Sequence, residues 1–161
     1  LDRMKEKQSQ IPDVEFINWD VIYTFEEYKQ KMTEYQSTAD AVGLIGIFHF
    51  KDENGENVPY QEVLRWTAEH SSLPDFTFWK DRIRYGTLCT VTVSGYIQGL
   101  AAGKIARGIL VEGKIPTSYP MKPTVKGEPV VSLARAKKLG IKIKSDILLT
   151  SEVMQEFEWE K

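Results

Sequence analysis

The 161-residue sequence holds one cysteine, Cys89, and two histidines, His49 and His70. A lone cysteine excludes an intrachain disulfide, and with it a small scaffold held by cross-links. Neither histidine has a His or Cys neighbour at the spacing of a zinc site. The most apolar stretch, Ala41 to Phe50, is interrupted by His49 and falls well short of the roughly 18 residues of a membrane span. Charge of one sign is also lacking: 21 basic against 23 acidic residues leave a net −2, without the basic excess of a dedicated nucleic-acid binder. The lysines at 137, 138, 142 and 144 read as a solvated helix end and loop. No Gly-x-Gly-x-x-Gly turn and no Walker-type loop is present, so no phosphate cradle is expected. Val93-Ser94-Gly95 is not a nucleophile elbow, and the β-branched surroundings of Cys89 suit an inert thiol. Asp52-x-Asn54-Gly55 lacks the closing Glu of a calcium loop and reads as a turn. These absences lead us to expect no cofactor, no metal and no chemical step. The chain opens at Leu1 in a charged stretch, which we read as a processed or cut-down piece of something longer.

What is present is an ordinary globular composition, 42% hydrophobic and 27% charged, in an alternating pattern. Met4 to Gln10 reads as a helix end before Pro12, and Val14, Phe16 and Asn18 as a strand with both faces covered. Thr24-Phe25-Glu26-Glu27 fits a capping box, followed by Phe25, Tyr28, Met32 and Tyr35 on one helical face. Ala41 to Phe48 is predicted to be a central parallel strand buried on both faces. After the turn, Asn57 is expected to cap a helix with the apolar stripe Tyr60, Val63, Leu64 and Thr67. A short strand over Pro74 to Trp79 and an extended stretch over Thr87 to Val93 come next. Ser94 to Gly113 is helical in pattern, with Gly95, Gly99, Ala102, Gly103 and Ala106 forming a smooth face suited to close helix packing. Ile115 to Gly127 is a connector, and Pro129 to Leu133 is a strand whose Ser132 caps a helix ending near Gly140. In the tail, Glu156 to Glu160 alternates like an edge strand. Strand and helix alternation with helix-length crossovers predicts an α/β fold: a three-layer α/β/α, Rossmann-like lobe on a mainly parallel sheet.

Aromatic residues gather where two predicted strands end. Phe48 and Phe50 follow one, Phe76, Phe78 and Trp79 close the next, and Tyr85 comes soon after. Ligands of open parallel sheets bind beyond the carboxyl ends of the strands. Phe48, Phe50, Trp79, Asp81, Arg82 and Tyr85 are therefore the expected ligand-binding positions. The aromatics would stack on a small solute, while Asp81, Arg82 or Arg84 would pair with its charged ends.

Several segments resemble the ABC-transporter substrate-binding family that includes tryptophan and tyrosine binders, of the type I periplasmic-binding-protein kind. Pro129 to Ile143 (PVVSLARAKKLGIKI) is similar to the family's C-terminal signature, a short strand running into an Ala-Lys and Leu-Gly-Ile helix, with Lys144 to Leu149 in place of the final helix. Gly95 to Ala102 with Ile109 to Pro116 resembles its long helix and Pro-containing exit, and Asp40 to Phe48 a strand of its second lobe. By this resemblance residues 1–92 are the core of the second lobe, 93–130 a helix and connector that cross between lobes, and 131–161 the C-terminal tail. The family's N-terminal lobe has no counterpart here. Neither does the strand that opens the second lobe, and Phe78-Trp79-Lys80-Asp81 departs from the usual small-residue loop. The resemblance implies a bacterial, extracytoplasmic, non-catalytic module. It would bind an amino acid or aromatic compound, serve an ABC permease in the intact protein, and form a homodimer as an isolated piece. A ligand-sensing domain of a signalling protein would share the fold, and a flavodoxin-like enzyme is the remaining alternative.

Overall fold

The computed structural model describes residues 2–120 and 127–161; the expected connector thus lies partly outside the described residues. The chain starts with a short helix, α1 (Asp2–Lys5), and a 3-10 turn at Gln8–Gln10. Helix α2 (Phe25–Tyr35) begins where the capping box predicts, with the Thr24 hydroxyl accepting from the Glu27 amide at 3.2 Å. Strand β1 (Val42–Gly43) leads through a bend at Phe48 to the Asp52–Gly55 turn. There the Asp52 carboxylate accepts from the amides of Asn54 and Glu56, and Gly55 takes φ +78°. Helix α3 (Tyr60–His70) buries Val63, Leu64 and Thr67 of the expected stripe together with Ala68, while Tyr60 is only half-buried. Its cap is Pro59 and not Asn57, and no side chain caps it, since Pro59 ends the extended entry and fixes the first turn.

Strand β2 (Asp75–Thr77), helix α4 (Asp81–Arg84) and strand β3 (Cys89–Thr92) follow. Helix α5 (Gly95–Leu110) is capped by Ser94, and its chain leaves through Gly113 at φ +66°. Then come β4 (Glu128–Ser132), α6 (Leu133–Lys138), α7 (Ser145–Thr150) and β5 (Glu152–Met154). Ser132 caps α6 by accepting from the Arg135 amide, as expected.

The five strands form one sheet in the order β1-β2-β3-β4-β5. Three of its four pairings are parallel; the β3–β4 pair is antiparallel, so β4 and β5 run opposite to β1, β2 and β3. With helices flanking this sheet, the fold is α/β, as the alternation predicts. The main core lies between α2, α3 and the chain after β1: Tyr28, Met32, Leu44, Ile47, Phe50, Val58, Val63 and Leu64.

Four expectations are corrected. β1 is an edge strand of two residues and not a long central one, because among the described residues nothing pairs with its outer side. Residues 14–18 belong to no strand, and with β1 they line a groove of about 760 Å³. The smooth face of α5 is not packed: a Cβ at Gly95, Gly99 or Gly103 would meet nothing within 4 Å, and only Gly108 of this helix is buried, under Tyr119. Finally, the tail's strand is β5, while Glu158–Glu160 is a 3-10 turn in which Phe157 stacks on Trp159 at 4.5 Å.

One buried ion pair joins the halves of the chain. Arg135, 1% exposed, donates to the carbonyls of Ala68 and Leu73 and to the Asp75 carboxylate, each at 3.1 Å. The second oxygen of Asp75 accepts from the Leu88 amide at 2.7 Å. Burial pushes the Asp75 carboxyl above the ordinary carboxylate range, against Arg135 and the Leu88 amide, which pull it down.

Arg135→Met leaves Asp75 buried without its partner, so we expect a loss of about 3–5 kcal/mol at neutral pH. A carboxyl whose pKa is raised in the folded state stabilises the fold when protonated, and that contribution is lost as pH rises through the raised value. Removing Arg135 enlarges the rise, so urea unfolding from pH 8 to pH 5 should show the variant recovering toward wild type as pH falls. A deficit that does not change with pH would mean that Asp75 is not the stranded group. Gly86 sits at φ +110°, and a Cβ there would meet the Ala68 Cβ at 2.8 Å and the Leu64 carbonyl at 3.1 Å. Gly86→Ala should therefore cost roughly 2–4 kcal/mol by thermal unfolding, from backbone strain and overpacking together.

Candidate functional site

The chain leaves β1 and β2 at the same end of the sheet, as parallel neighbours must. The segment after β1 carries Phe48 and Phe50, and the segment after β2 carries Trp79 and α4. Helix α3 contributes its first residue, Tyr60, whose side chain leans back past the helix start toward the strand ends.

Arg82 lies at the centre of this meeting point. It is 4% exposed, with its guanidinium carbon 3.5 Å from the centroid of the Tyr60 ring, 4.2 Å from that of Phe48 and 5.8 Å from that of Trp79. Phe48 and Trp79 meet edge to face at 5.2 Å, and Tyr60 and Tyr85 do so at 5.8 Å. Phe48, Tyr60 and Trp79 thus surround the cation, and Tyr85 packs against Tyr60. Such contacts contribute about 0.5–2 kcal/mol apiece, more where water is excluded. Asp81 accepts from the Tyr60 hydroxyl at 3.0 Å, and the same oxygen lies 3.6 Å from Arg82 Nε. Burial lowers the Arg82 pKa from its usual value, with Asp81 and Tyr60 opposing that shift. Desolvation, then the bond to Asp81, raises the Tyr60 phenol.

Of the six expected positions, the structure brings Phe48, Trp79, Asp81, Arg82 and Tyr85 together. Phe50 is turned away into the core, 5.1 Å from the Tyr28 ring, because the bend at Phe48 breaks the alternation that would have kept both phenylalanines on one side. Arg84 is exposed at the end of α4. Tyr60 is the member that sequence reasoning missed, since it was assigned to the apolar stripe of α3. The available signal was its place directly after Pro59, at the helix's first position. Phe48 and Trp79 keep about a third of their surface exposed, 36% and 37%, so the cluster has an accessible aromatic rim.

Chemically, this arrangement offers stacking faces, one held cation and one carboxylate. Its one hydroxyl–carboxylate pair is Tyr60 with Asp81. Cys89 lies elsewhere, half-buried in β3, and burial pushes its thiol pKa up, away from the thiolate. His70, the last residue of α3, stacks on Trp66 at 4.7 Å and hydrogen-bonds the Trp66 carbonyl. Among the described residues no cluster of His, Cys, Asp and Glu could hold a metal ion, and no helix is long and apolar enough to cross a membrane.

No family model matches the sequence, and no curated protein matches it either. Solved structures do. A conserved domain protein from Vibrio cholerae matches 96% of this chain with TM-score 0.65 at 14% identity. An ABC domain in complex with L-Trp from Streptococcus pneumonia matches 82% with TM-score 0.56 at 20% identity. A ligand-free, open substrate-binding protein with adhesive properties from Clostridium difficile matches 96% with TM-score 0.72 at 16% identity. This chain spans 49%, 43% and 48% of those three chains, so it corresponds to about half of each. Its fold is the α/β fold of about half of each of these three chains.

Proposed function

We propose that the chain is a solute-binding module with no chemical step, and that it receives its solute at the ends of β1 and β2. The observation that carries this reading is the aromatic cluster of Phe48, Tyr60, Trp79 and Tyr85 around Arg82. It lies where open parallel sheets bind ligands, keeps an accessible rim and has one charged group to orient what it holds. The fold supports the reading, since two of its structural neighbours are a substrate-binding protein and a domain bound to L-Trp. In this reading the module works outside the cytoplasm, delivers solute to an ABC permease, and takes small molecules of the amino-acid or aromatic class. In isolation the chain pairs with itself through the unpaired β1 edge and the exposed apolar residues of α5, Tyr96, Leu100 and Leu110.

Two measurements test this. Amide and aromatic NMR spectra of the chain, titrated with amino acids, nucleosides, sugars and small aromatic acids at millimolar concentration, should show one class moving the resonances of Trp79, Tyr60 and Phe48. Turnover of any of these compounds, without saturable shifts at the cluster, would replace the binding reading with an enzymatic one. Light scattering over a hundredfold range of protein concentration should show the mass rising toward two chains, whereas a constant single-chain mass would remove the self-association part.

A further inference from the structure

Strand β1 is paired on one side only. The amides of Val42 and Leu44 donate to the carbonyls of Pro74 and Phe76 at 2.9 and 2.8 Å, so Gly43 between them turns its N–H and C=O away from β2. Gly43 lines the groove of about 760 Å³ together with Asp13 to Ile22. Among the described residues, no backbone hydrogen bond joins Glu15 to Ile22 to any other backbone group. Two stretches of backbone with open donors and acceptors therefore line one cavity, and such edges take up added strands. The side chains agree with this. Met32 and Leu44 are the buried part of the lining, while Val14, Ile17 and Val21 are left 50%, 53% and 60% exposed. The charge of the groove is one-sided: Asp13, Glu15, Asp20 and Asp40 stand against Lys31, which Glu34 already holds at 2.8 Å.

We propose that this groove is a docking slot for one added β-strand, supplied by a partner polypeptide segment that is apolar along its length and basic at one end. The strand's backbone bonds to the free edge of β1 at Gly43, and its side chains cover Val14, Ile17 and Val21. Its basic end meets the four carboxylates, which set which strands are accepted. Polypeptide to supply it is at hand in the solved neighbours, since this chain spans only 43–49% of each of them. Gly43 suits the role. A Cβ there would meet the Phe76 ring at 2.7 Å, so the glycine lets that ring lie over β1 as an apolar shelf beside the slot. The slot does not depend on any solute at the Arg82 cluster. With a strand in place the β1 edge is taken, and the self-pairing of the isolated chain through that edge is displaced.

The test titrates the whole chain with the peptide acetyl-Lys-Lys-Val-Thr-Val-Ile-Val-Thr-amide, by calorimetry and by amide NMR with hydrogen exchange. The peptide should bind saturably and slow exchange at Gly43 and at amides within Glu15 to Ile22. A peptide with proline at alternate positions should lose this binding, because it lacks the N–H donors of a strand. A peptide with Glu in place of both lysines should bind roughly tenfold or more weakly. The double variant Glu15→Gln, Asp40→Asn should bring the lysine and glutamate peptides close to equal affinity. Proline peptide binding as well as the first overturns strand addition, and glutamate peptide binding as well overturns the basic end. No binding of any peptide overturns the slot. If raising the chain concentration alone protects Gly43, and the peptide does not reverse that pairing, the slot belongs to a second copy and the partner strand is overturned. The peptide comparisons use the wild-type chain, so they stand even if the double variant does not fold.

Discussion

The guanidinium of Arg135 is the point at which this chain closes on itself. It comes from α6, more than sixty residues after the carbonyls it bonds at the end of α3, and it reaches them through the packed interior. Because it also holds Asp75, it fixes the first residue of β2, and Asp75 in turn holds the Leu88 amide at the entrance to β3. The helix end, two strand starts and the returning C-terminal segment are thus tied by one side chain and one carboxylate. Everything at the far end of β2, including the turn into α4 and the placing of Arg82, inherits its position from that knot. A hydrophobic residue could fill the same volume, but it could not satisfy two buried carbonyls, so the interaction specifies an arrangement as much as it stabilises one.

Much of this was legible in the sequence where the signal is local. The capping serine and threonine, Ser132 and Thr24, bond where their spacing predicts, and the Asp52–Gly55 turn is made by its own carboxylate. The stripe on α3 is buried as its 3.6-residue period requires. These features depend on a few neighbouring residues and on geometry that any chain shares. The keystone was not legible, because Arg135 carries no mark that distinguishes it from the exposed lysines that follow it; only the fold brings Ala68, Leu73 and Asp75 to it. Strand identity failed for the same reason. Residues 14–18 and 41–48 have strand-like composition, but a ladder needs a neighbour at about 4.8 Å: among the described residues 14–18 have none, and 41–48 have only β2, on one side and for two residues.

The candidate site was partly legible, and the split is instructive. Position at the strand ends could be inferred from pattern, and it gathered five of the six expected residues. Direction could not. Phe48 and Phe50 are two residues apart, and regular pleating would point them the same way, yet one bend sends them to opposite sides of the chain. Tyr60 was hidden by the opposite error, a helical stripe read one residue too far toward its start. The surroundings of the two buried arginines appear only in three dimensions: carbonyls and a carboxylate hold the terminal nitrogens of Arg135, and ring faces surround Arg82.

The antiparallel strand β4 carries a further consequence. Between β3 and β4 stand 35 residues, 93–127, and β4 pairs directly beside β3, with Val91 opposite Pro129 and Thr92 opposite Glu128. An excursion whose two ends are clasped as neighbours is topologically a module. It can be lengthened, shortened or exchanged for a tight hairpin turn without shifting the register of any strand, and the entropy of closing it changes only slowly with its length. A protein built this way keeps its sheet as a fixed chassis and leaves α5 free to diverge in sequence and in partner, on its own evolutionary clock.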